Sequence, residues 1–172
     1  GIRISVVTGR AYIHAKSSFE VLGIDGPCVV DGGATIVDAA SGEILSKQWI
    51  EVETTRQIIS ILKKYCSESY FDHTSTIHFL KDIDSNALKD DAPAVFAIAS
   101  TMDEIQQASK ELAQVQGIQF FTGMGTHPVT EVAYPAIQIT HEHADKFHGV
   151  EALRKIIGIS RVNTLAIGDG DN

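Results

Sequence analysis

The 172-residue chain has little cysteine, little proline and no long apolar run. Cys28 and Cys66 stand alone, without CxxC or zinc-ligand spacing, so no disulfide framework is written into the sequence. Packing in a reducing compartment is their expected role. No stretch approaches the roughly 20 apolar residues that span a bilayer, and no basic-then-apolar leader precedes Ser5. A cytoplasmic location is the expectation, with no membrane partner. Positive charge is scarce too: 14 Lys plus Arg stand against 22 Asp plus Glu, a net charge of -8. That field repels a nucleic-acid backbone, so nucleic acid is not expected as a partner and any phosphorylated ligand must be gripped locally. What is present, 44% hydrophobic and 21% charged residues, suffices for one packed domain or a core with a smaller insert.

The order of periodicities suggests the second arrangement. An apolar run, Ile4-Ser5-Val6-Val7, leads through Thr8-Gly9-Arg10 into a helix over Ala11 to Leu22 with Ala15, Phe19 and Leu22 on one face. Gly23 ends it, and Pro27 to Val30 reads as the next strand, a spacing that suits a parallel crossover. Asp31-Gly32-Gly33 is a turn before Ala34 to Val37, which pairs with Glu43 to Leu45 as a hairpin. An amphipathic helix over Thr54 to Lys64, with Thr54 as N-cap, opens a block of different character. Strands at Thr76 to Leu80, Ala94 to Ala99, Ile118 to Phe121 and Ala133 to Ile139 surround a helix over Met102 to Val115. A helix over His148 to Ile157, with Val150, Leu153, Ile156 and Ile157 as its buried stripe, and a buried strand over Thr164 to Ile167 then resume the first pattern. The expected fold is α/β: an incomplete Rossmann-like parallel-sheet core, residues 1–52 and 141–172, with an α+β cap inserted over residues 53–140.

Two strand ends carry chemistry. Thr8-Gly9-Arg10 offers a hydroxyl, unobstructed backbone N–H groups and a helix start whose dipole favours an anion, although the same glycine serves a plain tight turn. Gly168-Asp169-Gly170-Asp171-Asn172 sets a carboxylate where open α/β sheets bind ligands, an oxygen ligand suited to magnesium, although such a turn is also an ordinary surface loop. His141, His143 and His148 with Glu142 and Asp145 make a ligand-rich stretch that could hold a transition metal, but polar loops before helices are common and no cysteine or i, i+4 histidine pair supports a site. Gly123-Met124-Gly125 lacks the Lys-Ser/Thr of a phosphate loop and reads as a turn.

Taken together, Thr8-Gly9-Arg10, Gly23-Ile24-Asp25-Gly26-Pro27, Gly33-Ala34, His148-Gly149-Val150-Glu151-Ala152-Leu153 and Gly168 to Asn172 resemble, in order, the motifs of the haloacid dehalogenase superfamily, Cof-type branch with a C2-type α+β cap. The resemblance implies a magnesium-dependent phosphatase of small phosphorylated metabolites, of sugar-phosphate type, working through an aspartyl-phosphate. It implies that Thr8 and the amides of Gly9 hold the phosphoryl group, that Arg10 orients the substrate, that Asp169 ligates Mg2+ and that Asn172 supports the phosphate or metal shell.

Three departures stand against the pattern. The family's D-x-D motif, on the strand before S/T-G-R, has no counterpart ahead of Thr8. The chain opens without methionine and stops in a turn that ordinarily launches a helix, so it reads as trimmed at both ends and, as it stands, inactive for want of the nucleophile. The lysine of K-G-x-A-L is His148, with Lys146 two residues away as a rival cation, and the hairpin asparagine is Gly32. A catalytically degenerate member that binds a phosphorylated ligand or a partner is therefore the second reading, and a phosphomutase a third. Substrate identity and oligomeric state stay open.

Overall fold

The structure, a computed structural model, describes residues 1–73, 76–81 and 84–168. It divides into two compact units, Gly1–Gln48 with His143–Asn172, and Trp49–Glu142. No helix among the described residues is long and apolar enough to cross a membrane.

In the first unit, helix α1 (Tyr12–Leu22) is closed by Gly23 in the left-handed conformation that glycine adopts without strain. It buries Tyr12, Ala15 and Phe19 against Cys28, Val30 and Val37, whereas Leu22, expected on that face, is 63% exposed. Strands β1 (Pro27–Val30), β2 (Thr35–Asp38) and β3 (Ile44–Lys47) form an antiparallel sheet in that order, with an irregularity at Ile36/Val37. The parallel element is short. Val7 bridges Val29, the Val29 N–H donates to the Val6 carbonyl at 2.9 Å, and the Thr8 N–H donates to the Val29 carbonyl at 3.0 Å. Helix α4 (Lys146–Ile157) packs on β1 and β2 through Leu153, Ala152 and Ile157, next to Val29 and Ile36. Its buried stripe is thus rotated from the expected one: Gly149 and Leu153 face inward and Ile156 is exposed.

The expected strand over Thr164 to Ile167 does not form. The segment pairs with no strand among the described residues, and Leu165 and Ile167 are 84% and 91% exposed. An apolar run makes burial favourable, but a strand exists only where a neighbour completes its ladder.

In the second unit, β4 (Glu68–His73), β5 (Thr76–Phe79), β6 (Val95–Ile98), β7 (Ile118–Thr126) and β8 (Ala133–His141) form an antiparallel sheet of order β5-β4-β6-β8-β7. Helices α2 (Val52–Tyr65) and α3 (Met102–Leu112) cover one face. Ile58, Ile59, Leu62, Ile105 and Leu112 form one core with Phe71, Val95, Ala97, Ile137 and Ile139. Alternation within β6 and β8 turns Phe96 and Gln138 to the opposite face, where Tyr70 stacks on Phe96 with ring centroids 5.5 Å apart. Helix α2 starts earlier than expected, with Glu51 rather than Thr54 at its N-cap. Thr101 and Glu104 close a capping box at the start of α3. Gly123-Met124-Gly125 is not a turn: it continues β7 in unbroken register with Pro135 and its neighbours, and a Cβ on Gly125 would lie 2.7 Å from that of Ala136. Cys66, partly buried, has its thiol pushed up to about 11 by that burial, and both cysteines are free, as a packing role requires.

Candidate active site

The Thr8-Gly9-Arg10 turn is laced to the turn that follows β1. The Gly32 N–H donates to the Thr8 carbonyl at 3.1 Å, and the Asp31 N–H donates to the Arg10 carbonyl at 2.9 Å. The Thr8 hydroxyl accepts the Arg10 N–H at 3.1 Å, which folds the side chain over its own turn. The partner turn is unusual. Asp31, Gly32 and Gly33 have φ of 55°, 71° and 117°, three successive residues in a region that glycine tolerates and a buried aspartate occupies only at a cost.

That conformation lets the backbone approach the start of α4. A Cβ on Gly33 would lie 2.0 Å from the Asp145 carbonyl oxygen, and one on Gly149 would lie 2.6 Å from Val29 Cγ1 and 3.1 Å from Gly33 Cα. Two glycines thus meet where the turn and the helix touch. Asp145 is the N-cap: its Oδ1 accepts the His148 backbone N–H at 2.7 Å and its Oδ2 lies 2.8 Å from His148 Nδ1. Partial burial pushes the Asp145 carboxyl up, but the backbone N–H and ring nitrogen of His148 outweigh it and hold the group below the usual carboxylate range. The His148 side chain is 53% exposed, 6.1 Å from the His143 ring and edge-on to Phe147 at 5.5 Å.

Beside these groups lies a cavity of about 380 Å³ lined by Gly33, Ala34, Ser46, Gln48, His143 and His148, among others. Lys146, the rival cation, is not part of the lining, although it has interactions of its own. The fold therefore brings Thr8, Gly9, Arg10, Gly33 and His148 into one connected set of turns. Arg10 is exposed. Asp169 and Asn172 lie outside the described residues.

Among the described residues no group of three or more His, Cys, Asp or Glu side chains is placed to hold a metal ion, and this includes the histidine-rich stretch His141 to His148. Those residues alone do not fit a metal centre. What they offer is the Thr8 hydroxyl and an imidazole fixed by a carboxylate, the N–H groups of His148 and Gly149 at the start of α4 being taken by Asp145. Asp145 was visible in the sequence as an Asx residue three positions before His148. Starting the helix at His148 rather than Lys146 concealed its capping role. Ser46 and Gln48 carry no sequence signal, because they reach the cavity only through the hairpin, whereas His143 stood out in the histidine-rich stretch but as a metal ligand rather than a cavity wall.

A family model described as haloacid dehalogenase-like hydrolase matches residues 1–172. A Mycoplasma pneumoniae protein named "Putative phosphatase" is 23% identical over 206 aligned positions, which take in 100% of this chain and 70% of that protein. The crystal structure of a haloacid dehalogenase-like hydrolase from Bacteroides thetaiotaomicron superposes with a TM-score of 0.79 at 17% identity, covering 99% of this chain and 70% of the other. The HAD subclass IIB sugar phosphatase BT4131 superposes with a TM-score of 0.66 at 16% identity, covering 93% and 64%. These likenesses show the fold, an α/β core of this superfamily with an inserted second unit. With the whole of residues 1–172 matched by the family model, the chain belongs to the haloacid dehalogenase-like hydrolases.

Proposed function

We propose that this protein serves as a phosphatase of small phosphorylated metabolites, of sugar-phosphate type, in the cytoplasm, with Trp49–Glu142 acting as its cap. The observation that carries the reading is the lacing of Thr8-Gly9-Arg10 onto the Asp31–Gly33 turn, and of that turn onto the His148-bearing start of α4. Three segments are thereby held around one small region, where the Thr8 hydroxyl and the His148 ring would meet a phosphoryl group. Thr8 and the Gly9 amide would hold the phosphoryl oxygens, Arg10 would orient the rest of the substrate, and His148 would stand where the family's lysine stands.

Asp169 would be the residue this chain brings to Mg2+, and Asn172 would support the phosphate or metal shell. A bound magnesium ion would offset the repulsion between the phosphate and an attacking carboxylate. One observation, His148 in place of the family's lysine, favours a second reading, a degenerate member that binds a phosphorylated ligand or a partner without turnover.

The test is phosphate release from a panel of sugar phosphates by the full-length gene product, with and without magnesium, beside the Thr8→Ala variant. Magnesium-dependent release that falls at least tenfold in Thr8→Ala supports the phosphatase. Binding of the same esters without release supports the degenerate reading, and neither binding nor release overturns both.

A further inference from the structure

The pairing of Asp145 with His148 has a consequence for how the site takes an anion. Asp145 accepts two N–H groups from one residue, the backbone N–H of His148 at one oxygen and its ring at the other, at 2.7 and 2.8 Å. An ionised carboxylate only accepts hydrogen bonds, so ring nitrogen Nδ1 must carry a hydrogen. In the neutral imidazole Nε2 then carries a lone pair and no proton. His148 is among the residues that line the cavity, and its side chain is half exposed. An anionic oxygen that reaches Nε2 meets acceptor against acceptor, unless a proton comes with it.

We propose that Asp145 makes His148 a proton-coupled anion receptor, so that a phosphoryl group reaching His148 binds together with one proton on Nε2. The inference rests on the reading of the Thr8-to-His148 set of turns as a phosphate site and adds its pH control. Lysine in that place would bring its own charge up to about pH 10 and show no such coupling. Other titratable groups lie on α4 and on the elements packed against it. The His143 ring is 6.1 Å away, and Lys146 is on the same helix, as is Glu151, paired with Arg154 and Arg161. On the elements packed against α4, Asp31 sits in the turn, Cys28 in β1, and Asp38 in β2, bonded to Ser41. Among the described residues it is Asp145 that is bonded to Nδ1, and so it decides which nitrogen is left bare.

Sulfate is the probe, because it is a dianion without a proton to give over the range tested. Binding to the chain is followed by calorimetry, and the ring tautomer by nitrogen-15 spectra, between about pH 7.5 and 9.5, above the ordinary histidine range. Uptake of one proton per sulfate makes affinity fall about tenfold per pH unit in the wild-type chain. Asp145→Asn keeps an oxygen for the helix cap and turns an NH2 group toward Nδ1, which moves the ring hydrogen to Nε2. Its affinity should be nearly constant with pH and its spectrum that of the Nε2–H tautomer. His148→Lys should likewise be flat. The proposal is overturned if sulfate binds the wild-type chain without pH dependence, if Asp145→Asn retains the wild-type slope, or if His148→Ala leaves affinity and slope unchanged. Any of these leaves the phosphate site standing. Absence of sulfate binding in every form instead overturns the phosphate site itself, and the coupling with it.

Discussion

The two units differ in what holds them together. Trp49–Glu142 has one continuous core, in which α2 and α3 lay Ile58, Leu62, Ile105 and Leu112 over a five-stranded sheet. The other unit has two small clusters, one around Phe19 and one around Leu153, and leaves Ile2, Ile4, Val21, Val162, Leu165 and Ile167 largely exposed. Its chemistry-bearing turns are joined instead by backbone hydrogen bonds and by glycines at close approach. Stability in one unit should follow apolar volume; in the other it should follow the presence or absence of single Cβ atoms.

The largest effect belongs to the continuous core. Leu62→Ala, at a fully buried position, should cost about 2–5 kcal/mol in chemical denaturation, because the surrounding side chains relax only partly into the space left. Leu165→Ala should stay within about 0.5 kcal/mol. Equal costs for the two would erase the contrast between the units.

Gly33→Ala comes next, at about 3 kcal/mol. It combines a side chain at φ 117° with a Cβ driven against the Asp145 carbonyl. Gly149→Ala should cost about 1–3 kcal/mol, by contact with Val29. In the second unit Gly123→Ala meets nothing within 4 Å and should be close to neutral. If Gly33→Ala is also neutral, the turn is not held by backbone approach.

A smaller effect separates the units by pH. In the second unit Glu68 is bonded to Lys81 and lies 2.6 Å from His127 Nε2, while His127 Nδ1 accepts the N–H groups of Val129 and Thr130 at 3.0 and 3.1 Å. Lys81 first, then His127, hold the Glu68 carboxyl below its usual range against the opposing effect of burial. A carboxyl depressed in the folded state binds its proton more readily when unfolded. Its contribution is therefore complete above about pH 4.3 and is lost as pH falls through the folded value. Glu68→Gln should destabilise at pH 7, and its deficit against the wild type should shrink in acid. A deficit that stays constant with pH would show that the ion pairing is not what Glu68 contributes.

How much of this was legible in the sequence also divides by unit. The amphipathic period of α2 and α3 made the core of the second unit readable, since Ile58, Ile61 and Leu62 recur at helical spacing. β4 was not readable: in Glu-Ser-Tyr-Phe-Asp-His two adjacent aromatics face opposite sides of the sheet, Phe71 in the helix-covered core and Tyr70 against Phe79 and Phe96, so no alternation stands out. Gly123 to Gly125 misled because glycine in a strand serves close packing as readily as it serves a turn. In the first unit the motif positions were readable as motifs, and Thr8, Gly33 and His148 do join one set of turns. Thr164 to Ile167 misled because hydrophobicity signals a wish for burial and not the presence of a partner. Asp145 was passed over because a cap is recognised only once the first turn of its helix is placed.

Asp145 also supplies the smallest expected effect. Its side chain satisfies the His148 N–H, one of the donors that the first turn of α4 leaves without a helical partner. Removing that oxygen in Asp145→Ala should cost about 1 kcal/mol, while Asp145→Asn, which retains it, should cost only a few tenths. The difference is measurable by denaturation of the two variants side by side. It would sharpen the contrast between the units, because no apolar surface changes in either substitution. Were Asp145→Asn to cost as much as Asp145→Ala, the charge would matter more than the hydrogen bond, and the start of α4 would be held by its dipole rather than by its cap.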